Sequence, residues 1–186
     1  MREFTKEIET DRLILRKFKI DDINDVFNNY ASHEIVSEFL TWQPHKSIED
    51  TKVYLSEVVL PEYEKEYTYR WAIVLKEINQ VVGCIDVVKK NIDKQCVELG
   101  YVLGDVFWGK GIMPEAGRAV IKYLFEENFV RIQAIHDVEN PKSGRVMQKI
   151  GMTYEGTMRK FERRRDGKLS DCKMYAIIKD DYIDKK

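Results

Sequence analysis

Between Tyr69 and Leu103 three apolar runs, Trp71-Ala-Ile-Val-Leu75, Val81-Val-Gly-Cys-Ile-Asp-Val-Val88 and Cys96-Val-Glu-Leu-Gly-Tyr-Val-Leu103, are separated only by polar stretches at 76–80 and 89–95. β-Branched and aromatic residues at this density suit a pleated surface, and links this short join antiparallel neighbours, so an antiparallel meander is predicted. The third run leads through Gly109-Lys-Gly111 into Met113, Ala116, Gly117, Val120 and Leu124 at helical spacing. Pro114 falls near the first turn of that helix, where a missing N–H costs least. Arg131-Ile-Gln-Ala-Ile-His-Asp-Val138 reads as the next strand. Strand, helix and strand from Cys96 to Val138 should make a right-handed crossover between neighbours of one sheet, which places the chain in the mixed α/β (α+β) class.

The flanks fit that frame. Arg12-Leu-Ile-Leu-Arg16 reads as a strand, and Asp21-Asp22 as the N-cap of a helix carrying Ile23, Val26, Phe27 and Tyr30. Ser47-Ile-Glu-Asp50 resembles a capping box for a second helix with Val53, Tyr54, Val58 and Val59, ending near Pro61. Asn140-Pro141 opens a short helix that Gly151 closes. Met152–Arg163 and Lys168–Ile178 read as a hairpin in which Asp166-Gly167 supplies the positive φ angles of a tight turn. No repeat or linker interrupts the 186 residues, so residues 1–186 are read as one domain.

Charge and composition remove several classes of function. The 31 Lys and Arg nearly balance the 32 Asp and Glu, for a net charge of -1, so no bulk field gathers polyanions and direct nucleic-acid binding is not expected. No run approaches the ~18 apolar residues that span a bilayer, and the start of the chain lacks the apolar stretch of a secretory signal, which points to the cytoplasm and away from the membrane. Cys84, Cys96 and Cys172 are odd in number without CxxC spacing, and His33, His45 and His136 form no local ligand pattern, so neither a disulfide framework nor a metal site is expected.

The segment that suggests chemistry is Val106-Phe-Trp-Gly-Lys-Gly-Ile-Met-Pro-Glu-Ala116, between a strand and a helix. Two glycines one residue apart let the backbone turn without a Cβ in the way, so successive N–H groups can converge at a helix N-terminus on an anion such as a pyrophosphate. The spacing is neither G-x-x-x-x-G-K-[ST] nor G-x-G-x-x-G, which takes support from nucleoside triphosphate and dinucleotide readings. A plain glycine turn into a helix is the simpler alternative.

Glu98-Leu-Gly-Tyr-Val-Leu103, Phe107-Trp-Gly-Lys-Gly-Ile-Met-Pro-Glu-Ala116 and Glu139-Asn-Pro-Lys-Ser-Gly-Arg-Val-Met-Gln-Lys-Ile-Gly-Met152, in that order, resemble the GNAT superfamily of N-acetyltransferases. The likeness is to the branch containing the ribosomal-protein N-terminal acetyltransferases RimJ and RimL. Thr10-Asp-Arg-Leu-Ile-Leu-Arg16 and Tyr154-Glu-Gly156 extend it to about residues 10–182. The resemblance implies a twisted, mainly antiparallel sheet flanked by helices and split between its fourth strand, Cys96 to Leu103, and its fifth, Arg131 to Val138. Acetyl-CoA would be the cosubstrate held there. Backbone groups of Tyr101, Val102 and Leu103 would pair with the pantetheine arm, the N–H groups of Trp108, Gly109, Lys110, Gly111, Ile112 and Met113 would cradle the pyrophosphate, and Asn140 and Ser143 would contact the cofactor beyond the fifth strand.

An amine must lose a proton to attack, charge must be stabilised on the thioester oxygen, and the departing thiolate must gain a proton. Glu98 is the candidate base, directly or through a water; an outward-facing strand residue is its alternative reading. Relatives often place a tyrosine acid seven residues after the asparagine, but here that position is Met147, which has no proton to give. Ser143 is the candidate acid, with a helix-capping role as the alternative and with Tyr154 and Tyr101 as other donors. Trp42 and Glu155 are weaker candidates for the acceptor site, and Arg163-Arg-Arg165 reads as a solvated cluster. His136 reads as a satisfied strand histidine.

The expected activity is N-acetyl transfer from acetyl-CoA to a primary amine by direct attack in a ternary complex. The acceptor would be a protein N-terminal α-amine, such as that of a ribosomal protein, or a small amine. An acyl-CoA-binding or regulatory module with little activity is the rival that Met147 motivates, and an α/β protein without a CoA site is the third. Relatives commonly pair as homodimers, which the sequence leaves open.

Overall fold

The structure, a computed structural model, describes residues 2–183; Met1 and residues 184–186, the ends of the span read as one domain, lie outside the described residues. Its strands are β1 (Ile8–Glu9), β2 (Leu13–Arg16), β3 (Arg70–Leu75), β4 (Gln80–Asn91), β5 (Cys96–Leu103), β6 (Arg131–Asp137), β7 (Thr153–Arg163) and β8 (Leu169–Ile178). They form an open, mostly antiparallel sheet in the order β1-β2-β3-β4-β5-β6-β8-β7, with β5 and β6 parallel. The fold is thus the mixed α/β arrangement the sequence pattern implies. The meander is β3 to β5, and the strands expected as fourth and fifth are β5 and β6, counted one higher because the two-residue β1 precedes them. The chain packs as two compact units, one of residues up to Asp86 with Tyr101–Ile112, the other of Val87–Gly100 with residues from Met113 onward.

In the first unit β1 to β4 pair as antiparallel neighbours, Arg70 standing opposite Asp86 and Ala72 opposite Cys84. The helical stretches 20–31 and 48–62 cover one face of these strands. Their apolar side chains Val26, Tyr30, Leu55 and Val59 close over Ala72, Val74, Val81 and Cys84, so burial of one amphipathic face holds them in place. Ser47 and Asp50 cap each other reciprocally at the start of α3 (Ile48–Val53), as the capping box predicts. The earlier helix departs from expectation. Asp22 does not cap it forward: a 3₁₀ turn, Ile20–Asp22, comes first, and the Asp22 carboxylate turns back to accept from the Lys19 N–H at 2.7 Å and to pair with Arg16 at 2.8 Å. A nearby guanidinium outcompetes a cap exposed to water.

In the second unit the first half of β5 pairs with β6, β6 with β8, and β8 with β7. The long helix α5 (Ile112–Glu126) buries Ala116, Val120, Ile121 and Leu124, the face its spacing predicts. The short helix α6 (Pro141–Lys149) buries Met147. Gly117 and Gly144 allow close approaches, since a Cβ on Gly117 would stand 2.9 Å from Ile150 and one on Gly144 2.6 Å from the His136 ring. The hairpin loop is longer than a two-residue turn. Gly167 N–H donates to Arg164 C=O and Arg164 N–H to Lys168 C=O, both at 2.9 Å, and of Asp166 and Gly167 only the glycine has positive φ, 84°. This is a type I turn closed by a glycine bulge. The arginine run is not uniformly solvated either: Arg164 turns in to pair with Asp137 and Glu139.

Candidate active site

The glycine segment lies in the first unit. Val102 C=O crosses Gly83 so closely that a Cβ there would be 2.4 Å away, which keeps β4 against β5 at this level. The Trp108 indole donates to Leu103 C=O at 2.8 Å, fastening the end of β5 to the following turn, and Gly104 N–H donates to Val82 C=O at 3.0 Å. Trp108 N–H is committed to Asp105 C=O at 3.1 Å, so an anion cradle made of backbone donors begins at Gly109 rather than at Trp108. Gly109 and Gly111 both take φ of +77°, the left-handed region, just before α5 begins at Ile112. A Cβ on Gly109 would meet nothing within 4 Å, so its conformation rather than crowding accounts for the glycine. Such alternation of left-handed residues at the start of a 15-residue helix fits a diphosphate.

Arg12 is the residue the motif reading missed. Its guanidinium donates to Lys110 C=O at 2.9 Å and lies beside Gly111, bracing the loop from 98 residues away in sequence. Arg12 stands in the Thr10-Asp-Arg-Leu-Ile-Leu-Arg16 run, but its reach to the glycines is a tertiary fact. Trp42 also belongs to this unit, half-buried and tilted against His45, with ring centroids 6.1 Å apart.

Glu98, Met113, Asn140, Ser143 and Glu155 lie in the second unit. Glu98 faces inward, only 5% exposed, which removes the outward-facing alternative. One carboxylate oxygen accepts from Lys89 Nζ at 2.9 Å and the other from Gln133 Nε2 at 3.0 Å. The Gln133 carbonyl oxygen in turn accepts from Arg131 Nε at 3.2 Å, and Arg131 grips Glu155 with both terminal nitrogens. A polar line therefore crosses β4, β5, β6 and β7. Glu155 is held below the usual carboxylate range by the Arg131 hydrogen bonds, so it is an ion-pair partner rather than an unengaged carboxylate.

Asn140, not Ser143, is the cap of α6: the Asn140 carbonyl oxygen of its side chain accepts from Ser143 N–H at 3.3 Å. Ser143 stands half-buried in the first turn. Met147 is 1% exposed and belongs to the core, and Met113 is likewise buried at the start of α5. Tyr154 is exposed, its hydroxyl 2.8 Å from that of Thr157. His136 is only half satisfied. Nδ1 lies 2.7 Å from Asp137 C=O while buried Nε2 faces Gly144, an arrangement that needs the proton on Nδ1, and burial lowers the ring's pKa below the usual histidine value.

Residues 12–153 match the family model described as Acetyltransferase (GNAT) domain. The chain belongs to the GNAT acetyltransferase family. It is 29% identical over 174 residues to Uncharacterized N-acetyltransferase p20 of Bacillus licheniformis, covering 93% of this chain and 96% of that one. To the ribosomal-protein-serine acetyltransferase of Escherichia coli it is 28% identical over 148 residues, 78% of this chain and 80% of the other. A solved GNAT-family acetyltransferase of Bacillus anthracis superposes with a TM-score of 0.80 at 30% identity, over 94% of this chain and 99% of that one. This GNAT protein is accordingly an N-acetyltransferase, and acetyl-CoA is the donor its family uses.

Proposed function

We propose that the protein transfers the acetyl group directly to a primary amine in a ternary complex, with Glu98 as the base. The observation that carries this reading is a nearly sealed carboxylate on β5 already holding an ammonium at 2.9 Å. Bound acetyl-CoA supplies an electrophilic thioester and a thiolate leaving group. Tyr101, Val102 and Leu103 offer backbone groups to its pantetheine arm, Gly109, Lys110, Gly111, Ile112 and Met113 offer N–H groups to its pyrophosphate, and Asn140 and Ser143 complete its contacts. The family match covers residues of both compact units, which supports reading residues 1–186 as one domain.

Glu98 takes the proton that an acceptor ammonium must lose, directly or through one water. Ser143 is our choice for the proton returned to sulfur, because Met147, where relatives often carry a tyrosine, is buried and has none. The acceptor is a protein N-terminal α-amine or a small amine; likeness to a ribosomal-protein-serine acetyltransferase favours the former.

E98Q preserves shape while removing the base, and should lower kcat/KM by about 10²–10⁴ in a screen of amines and N-terminal peptides, with acetyl-CoA affinity by calorimetry unchanged. Wild-type turnover by both E98Q and S143A would refute these assignments. A chain that binds acetyl-CoA but turns over no amine would instead be a binding module.

A further inference from the structure

Lys89 supplies the ammonium that Glu98 holds, and its setting is unlike that of a structural ion pair. The Glu98 side chain is 6% exposed and that of Lys89 58%, so a nearly sealed carboxylate is met by a side chain that reaches it from solvent. The ammonium also stands over the Phe161 ring, 5.6 Å from its centroid. Glu162 is near enough to act on it, and together with the Glu98 hydrogen bond, the larger effect, this keeps Lys89 protonated above the usual lysine range. One cation therefore sits between a buried carboxylate and an aromatic face.

Phe161 is placed there by a specific distortion. Between Met158 and Glu162 the β7–β8 register shifts, with Lys160 at a φ of 53° and its N–H donating to Asp171 at 2.9 Å. The bulge re-aims the strand at this point, and Phe161 remains 45% exposed. An exposed phenylalanine turned toward a cation carries the attraction of its π face and is open to a ligand as well.

A lysine ammonium is a point charge with three donors on a flexible stem, and an acceptor's primary ammonium presents the same charge and donors. We propose that Glu98 and Phe161 form the seat of the acceptor's ammonium group, and that Lys89 fills this seat in the free protein as an internal placeholder which the acceptor displaces. The inference rests on the reading of Glu98 as the base, because Gln133 holds one carboxylate oxygen and an amine can deliver its proton directly to the other only where Lys89 now sits. It adds a selection rule: an uncharged group cannot replace Lys89 without leaving a buried carboxylate uncompensated, so the seat admits primary alkylammonium groups and rejects neutral isosteres.

The test needs no acetyl-CoA and no knowledge of the natural acceptor. n-Butylammonium and n-butanol are titrated against wild type, K89M, K89Q and K89M/F161L by protein-observed NMR, with folding checked by circular dichroism. Both K89M and K89Q should bind n-butylammonium at least tenfold more tightly than wild type, n-butanol should gain nothing, and F161L should reverse most of the gain. Equal affinity in wild type and the Lys89 variants, an equal gain for n-butanol, or indifference to F161L would overturn the placeholder. Loss of acetyl transfer in E98Q, read separately, tests the base assignment, so the two readings fail independently.

Discussion

Two strand carboxylates in this protein are paired with cations, and they are paired in opposite ways. In the first unit Asp86 faces Arg70, its direct cross-strand partner, which donates through Nε at 3.0 Å and Nη2 at 2.9 Å while Nη1 lies 2.8 Å from Glu62. Their side chains are 13% and 18% exposed, and burial pushes the Asp86 carboxyl up with Arg70 pulling against it. In the second unit Glu98 is as well buried as Asp86, but its cation comes from solvent on a four-carbon stem and touches one oxygen. A planar fork shared by Asp86 and Glu62 ties two strands together. A single flexible ammonium leaves its carboxylate able to change partners, which is what chemistry on an amine requires.

The sharpest break in that comparison is R70M. Removing the fork strands Asp86 and Glu62 without their cation, and unfolding in urea should show a loss of about 3–5 kcal/mol. K89M should cost less, about 1–3 kcal/mol by the same measurement, because it strands one carboxylate rather than two and Gln133 still donates to one oxygen of Glu98. A loss as large as that of R70M would make Lys89 structural and erase the distinction. The smallest effect separates the pairs by pH. The folded-state pKa of Lys89 lies above its ordinary value of 10.5, so its stabilisation is complete below that value and is lost as pH rises through the higher folded one. The guanidinium of Arg70 keeps its charge throughout this range. Alkaline unfolding of wild type and K89M should therefore converge once the pH exceeds the raised pKa of Lys89, while wild type and R70M stay apart.

Much of the fold is legible in the sequence because two periods carry it. Alternating or continuous apolar runs mark β3, β5 and β6, and the spacing of Ala116, Val120 and Leu124 marks α5, since in each case the buried face is the one the pattern defines. Strand ends are less legible. β4 runs on to Asn91 through Val88, Lys89 and Lys90, where exposure removes the apolar signal and only pairing shows the strand. The site divides the same way. Glu98 and the glycine loop stand in local motifs, whereas Lys89, Gln133, Phe161 and Arg12 acquire their roles from register and a bulge, which couple residues distant in sequence. His136 shows a different limit: which ring nitrogen is satisfied depends on Gly144 of α6, and no local pattern contains that.

The bulge between Met158 and Glu162 has an evolutionary consequence. It lies on an edge strand of the hairpin, at residues that are mostly exposed, so gaining or losing one residue there leaves the core sequence untouched. Such a change would alter which side chain faces the Lys89 ammonium, the place Phe161 now takes. If the proposed seat holds, descendants of this chain that differ by one residue at the bulge would diverge in the amines they accept while the glycine loop stays the same.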